Sequence, residues 1–357
     1  MNPQRRRWLL ALAAAPLAAS AQTIRRGRAL VFPADHGAHL AARTEWWYAT
    51  GWLGTEAAPT HGFQVTFFRS RTGLAEGLQS RFAARQLLFA HAAVTQLAGA
   101  RHRHDQRIVR WNGTPDGGAA FAAVGRGAVR LGPWSLEDEG PAWVAQVPGR
   151  ELGLALRLTR TQPLLLQGDA GYSRKGPLEA QASHYVSEPQ LAASGTVTVD
   201  GTPVAAQGRG WMDHEWSDEY LAPGAVGWDW IGFNLFDGSA LTAFVLRRAD
   251  GSALWAGGSF RAPGATAQAF GADAVRFTPG RRWRSPGSAA DYPVEWDVQT
   301  PAGRFQVRAL LDAQELDSRG STGAIYWEGL SELLDAQGRR VGLGYLEMTG
   351  YAARLRM

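Results

Sequence analysis

The chain has 357 residues, with 37 Lys plus Arg against 32 Asp plus Glu, a formal net charge of +5 and no cysteine. Without cysteine, thiolate metal sites, Cys nucleophiles and disulfides are excluded, and a chain of this length can bury a core without such staples. Lys175 is the single lysine, and no Lys/Arg block with interleaved aromatics argues for nucleic acid.

The first residues read as an export signal. Arg5-Arg6-Arg7 form a basic start, Trp8 to Leu17 a short apolar run, and Ala19-Ser20-Ala21 a small-x-small cleavage site. Residues 1–21 are therefore expected to be a signal peptide, with Gln22 the first mature residue. The arginines suit the twin-arginine route and a Sec signal alike. The expected location is the periplasm or the medium. The apolar run is too short to span a bilayer, and no later stretch approaches about 20 uninterrupted apolar residues, so no transmembrane segment is expected in the mature chain. Losing the three arginines leaves the mature net charge near +2.

The mature length predicts two domains, 22–217 and 218–357. The pattern between them is mostly β. In chain order, Phe82 to Val94 fits helix and strand equally. Asp200-Gly201 turns between Gly195–Val199 and Thr202–Ala206. Trp228 to Phe236 reads as a strand, Asp237-Gly238 as a turn and Leu241 to Arg248 as the return. Asp250-Gly251 then leads into Ala253 to Phe260, and Gln337-Gly338 separates Gly329–Leu334 from Val341–Tyr351. A weak repeat relates Trp47-Tyr48-Ala49-Thr50-Gly51-Trp52 to Trp228-Asp229-Trp230-Ile231-Gly232-Phe233. These features predict an all-β protein with few helices: two antiparallel barrels in tandem, each able to hold a small apolar ligand.

The densest chemistry lies in Met212-Asp213-His214-Glu215-Trp216, followed by Trp228-Asp229-Trp230. On a strand, Trp211, Asp213 and Glu215 share one face, and Met212, His214 and Trp216 the other. Paired carboxylates against apolar walls push a pKa upward, which makes Asp213 or Glu215 a candidate proton donor. His214 is the other candidate acid or base. In Glu45-Trp46-Trp47-Tyr48, Glu45 and Trp47 point one way and Trp46 and Tyr48 the other. Either Glu215 or Glu45 is a candidate for orienting an attacking water molecule. Trp216, Trp228, Trp230, Trp47 and Tyr185 are candidate substrate-binding residues. Glu347 is a further polar group in a β-like run. A structural reading competes throughout: these groups can simply lock backbone where two domains meet, and His91 reads as a core histidine.

His214-Glu215-Trp216 lacks the second His of a zincin, and His102, His104, His36 and His39 read as loop residues, so no metal is expected. The chain has no Gly-x-Ser-x-Gly elbow, phosphate loop or dinucleotide fingerprint, so no cofactor is expected.

Six segments together resemble one family: Glu45–Tyr48, Gly171-Tyr172-Ser173-Arg174-Lys175-Gly176, Ser183-His184-Tyr185-Val186-Ser187, Trp211–Trp216, Trp228–Trp230 and Gly344–Tyr351. Their order and spacing are similar to those of AttH-like predicted secreted hydrolases and carotenoid 1,2-hydratases. The resemblance implies two lipocalin-like barrels with the motifs near their junction. It also implies cofactor-free chemistry in the hydratase branch, pericyclic cyclisation in fungal relatives and ABC transporter components as possible partners. The resulting expectation is a periplasmic or secreted hydrolase- or hydratase-like enzyme. It would act by acid–base chemistry on an apolar terpenoid, lipid or polyketide-like substrate. The alternatives are a non-catalytic lipid carrier and a structural envelope protein.

Overall fold

The computed structural model describes residues 23–355 apart from 79, 81 and 115–117. Residues 1–21, expected to be a signal peptide, and Gln22 lie outside them. The turn chemistry read from the sequence sets the strand ends. Asp200 and Gly201 both adopt positive φ, at 50° and 83°, which closes the tight hairpin between Ala182–Val199 and Thr202–Ser217. Gly238, Gly251 and Gly338 also have positive φ, at 87°, 83° and 75°. They close the hairpins joining Gly227–Leu235 to Ala240–Arg247, Ala240–Arg247 to Ala253–Arg261, and Ala324–Leu334 to Arg340–Met348. The ambiguous Phe82–Val94 stretch resolves as the strand Gln86–Gln96, paired on both sides.

The strands form two large antiparallel sheets. Among the described residues the first holds 13 strands, from Thr44–Gly54 to Thr202–Ser217, and curls until its ends approach one another. The second holds 10, from Gly227–Leu235 to Arg340–Met348. The fold is all-β and lipocalin-like, with two short 3₁₀ turns at Ala34–His36 and Ala272–Ala274.

Each barrel is filled by its own side chains. Trp47, Phe63, Phe67, Trp134, Trp143 and Met212 belong to the first core. Phe233, Tyr292, Trp296, Trp327 and Met348 belong to the second. A third apolar cluster joins the two outer faces: Tyr48, Trp52, Trp211, Trp230, Phe244, Leu330 and Tyr345. Hydrogen bonds fix this junction. Gln190 Nε2 donates to the carbonyls of Leu235 and Ser239, and Asn234 Nδ2 donates to that of Gly210.

The repeat does not superpose face on face. Trp47 points into the first barrel, whereas Trp228 and Trp230 point out of the second toward the junction. Their structural counterparts are Trp46 and Tyr48. A match shifted by one residue swaps the two faces of a strand.

Candidate active site

A cavity of about 290 Å³ lies between the barrels rather than inside either. The barrel interiors hold the packed cores described above, whereas this cavity opens at the junction. From the first barrel come Trp46, Tyr48, Phe68, Phe89, Tyr185, Asp213 and Glu215. From the second come Trp228, Trp230, Tyr326, Glu328 and Glu347, and Tyr220 comes from the connecting segment.

The strand Thr202–Ser217 positions the acids. It is paired on one side with Thr44–Gly54 and on the other with Ala182–Val199. That registry sets Asp213 between Tyr48 and Ser187, and Glu215 between Trp46 and Tyr185. Asp213 Oδ1 accepts from Ser187 Oγ (2.5 Å) and Trp211 Nε1 (2.8 Å), and Oδ2 accepts from Tyr185 OH (2.8 Å). Trp230 Nε1 donates to the same phenol at 3.1 Å, so a contact from the second barrel steadies the acid of the first. Burial pushes Asp213 up to about 7, against the pull of its three donors. With Oδ1 occupied by two donors, the proton belongs on Oδ2, the oxygen shared with Tyr185.

Glu215 is handled differently. Its Oε1 faces Lys175 Nζ at 2.9 Å and accepts from Ser183 Oγ. Lys175 is 1% exposed, and its Nζ lies 4.8, 5.4 and 4.2 Å from the ring centres of Tyr185, Tyr220 and Phe244. Burial pushes Glu215 up and Lys175 down, and their mutual attraction opposes both. The ring faces and the Ser183 donor favour the ionised pair. Two carboxyls on one strand face thus differ: Asp213 holds its proton up to about pH 7, whereas Glu215 is paired as a carboxylate with Lys175.

From the second barrel, Glu328 and Glu347 are directly opposed across two strands. Burial pushes Glu347 up to about 8 and Glu328 well above the usual carboxylate range, each raised further by a neighbouring carboxyl. Trp228 Nε1 donates to Glu347 Oε1 at 3.1 Å.

The predicted site residues divide. Asp213, Glu215, Tyr185, Trp228 and Trp230 meet at the cavity. Glu45, His214, Trp47 and Trp216 do not line it: pleating sends them to the opposite face of the same strands. There Glu45 Oε1 meets His39 Nδ1 (2.8 Å) and His214 Nε2 (3.0 Å), and its Oε2 accepts from Arg69 Nε (2.7 Å). His39 Nε2 reaches Asp35 at 2.9 Å, and the ring stacks on Trp216 at 3.6 Å.

His39, Glu45 and His214 each bring a ligand-type atom within 4.8 Å of the others. The donor set fits a proton better than a metal ion. Both ring nitrogens of His39 lie on carboxylates, which raises its pKa, and the remaining oxygen of Glu45 is held by a fully buried arginine. Lys175, Glu328, Tyr48, Trp46 and Tyr220 were not singled out as site residues from the sequence. Lys175 is the chain's single lysine, Glu328 interrupts an apolar run, and Trp46 and Tyr48 follow from the alternation that placed Glu45.

The fold and cavity together define a tandem lipocalin-like protein with an acid-lined pocket at the barrel junction. The chain belongs to the AttH-like family, whose model matches residues 23–351. A Nitrosomonas europaea protein described as a candidate AttH is 44% identical, covering 92% of this chain and 99% of its own, with a TM-score of 0.83. Kievitone hydratase from Nectria haematococca shares the fold at 14% identity, covering 91% and 94% of the two chains, with a TM-score of 0.67. So does CghA, solved with Sch210972, at 15% identity and a TM-score of 0.54, covering 87% and 88%. No curated protein matches the chain.

Proposed function

We propose that the chain is an exported, cofactor-independent enzyme of the hydratase or hydrolase type, acting on an apolar substrate in the junction cavity. The observation that carries this is Asp213, buried and half-protonated near neutral pH, beside a carboxylate held ionised by Lys175. In a hydration, Asp213 Oδ2–H gives its proton to one alkene carbon as the π bond breaks. The cation on the other carbon faces the rings of Tyr185 and Trp230. Water forms the C–O bond there and passes a proton to Glu215, from which it returns to Asp213 on product release. In a hydrolysis the same proton goes to the leaving group.

The basic and apolar start of the sequence supports export to the periplasm or medium. A terpenoid, lipid or polyketide-like substrate suits the aromatic walls. A second reading is a carrier working with ABC transporter components, favoured by the extent of those walls, which bind without needing an acid. The test is native purification of wild type and Asp213→Asn, with mass spectrometry of bound apolar molecules. A hydrated or cleaved species in wild type and its precursor in the variant is the expected result. The same unmodified molecule in both establishes the carrier instead.

A further inference from the structure

The second-barrel end of the cavity has polar atoms that the acid–base reading does not use. Glu328 and Tyr48 are 3% and 6% exposed, and both line the cavity. They approach each other from different barrels closely enough to interact, and beyond that poorly aligned contact neither Glu328 Oε1 nor Tyr48 OH has a hydrogen-bond partner. Orphaned buried polar atoms are uncommon, and each leaves roughly 1–3 kcal/mol of desolvation uncompensated. Glu347, opposite Glu328, is already engaged by Trp228. Among the described residues, no arginine or lysine lines the cavity, and its one histidine, His91, is held neutral by burial, at about 3.

The orphans have a definite chemistry: one is a carboxyl oxygen and the other a phenolic hydroxyl free to donate. A hydroxyl group both donates and accepts, so it matches the pair. An ammonium offers only donors and leaves the Tyr48 hydrogen unused. A carboxylate or phosphate brings a full negative charge into a cavity that no arginine or lysine lines, so its desolvation goes uncompensated.

We propose that Tyr48 and Glu328, backed by Glu347, form a subsite for an alcohol or phenol hydroxyl of the ligand in the same cavity as Asp213. This rests on the cavity being the ligand site, but not on Asp213 being catalytic. The substrate class is then an apolar molecule that carries a hydroxyl and no anionic group.

The test is a set of matched ten-carbon probes titrated into the full protein at pH 6.5 and followed by quenching of indole fluorescence. The probes are geraniol, the hydrocarbon myrcene, geranic acid and geranylamine. Geraniol is expected to bind about tenfold more tightly than myrcene, the scale of one satisfied buried hydrogen bond, and more tightly than the acid or the amine. Tyr48→Phe removes only the hydroxyl and should abolish the preference for geraniol over myrcene, as should Glu328→Leu. Asp213→Asn should keep it. Equal binding of geraniol and myrcene in wild type, or tighter binding of the acid or the amine, overturns the subsite while leaving the cavity as the ligand site. A preference that persists in Tyr48→Phe overturns it as well. No binding of any probe overturns both readings.

Discussion

Along residues 210–217, the buried half of the strand Thr202–Ser217, the two faces hold charge in opposite ways. On the face toward the first barrel, Glu45 and Asp35 are matched by Arg69, Arg28 and a doubly hydrogen-bonded His39. On the cavity face, Asp213, Glu215, Glu328 and Glu347 have one cation among them, Lys175. Balanced buried charge holds a structure in register. Unbalanced buried carboxyls stay protonated and are available as acids. The comparison teaches that an Asp-His-Glu run on a strand is two sites back to back, and that only the unbalanced one faces space for a ligand.

Asp213→Asn should break the cavity face while sparing the other. Turnover should fall about 10²- to 10⁴-fold, the usual scale for a lost general acid, with the circular dichroism spectrum unchanged. Full turnover in this variant sinks the assignment. Arg69→Met should do the reverse. Removing one partner of a buried pair is destabilising by about 3–5 kcal/mol, read as a lower midpoint in urea, while the folded fraction still binds an apolar probe. Lys175→Met leaves Glu215 without its cation. Glu215 should then be protonated at neutral pH, and turnover should drop about tenfold at pH 7, with the acid limb of the pH profile displaced upward. A pH profile identical to wild type would exclude the pairing role.

The smallest effect concerns pH. Activity should fall as pH rises through about 7, where Asp213 loses its proton. Stability should show two arms of different origin. Glu45 and Asp35 are lowered, so their contribution is present above pH 4.5 and 3.8 respectively, and is lost as pH falls through their folded values. Asp213 and Glu347 are raised, so the folded state holds protons that the unfolded chain releases. Stability therefore declines between about pH 4 and about 8. Glu347→Gln should flatten only this upper decline, by the order of 1 kcal/mol between urea melts at pH 5 and pH 8. An unchanged slope would show that Glu347 ionises as readily in the folded protein as outside it.

Much of the fold was legible. The turns at Asp200-Gly201, Asp237-Gly238, Asp250-Gly251 and Gln337-Gly338 fixed strand ends to within a few residues, because positive φ is a local demand that glycine and its neighbours meet locally. Alternation along Trp211–Trp216 separated Asp213 and Glu215 from His214 and Trp216, because the two-residue period belongs to the strand itself. What alternation could not say was which face met the cavity. His214, Glu45, Trp47 and Trp216 were grouped with Asp213 on composition, and pleating divides them. Lys175, Tyr48 and Glu328 lie far from Asp213 in sequence, and no local pattern links them.

The sequence by itself therefore determined the all-β character, the turns, the family resemblance and the two chemical faces of one strand, since each depends on neighbouring residues. Only the tertiary structure decided that both barrels are filled and that the cavity lies between them. It also decided which carboxyls go without a counterion. Burial and charge balance are set by which strands pack together across the junction, and that is a property of the whole molecule.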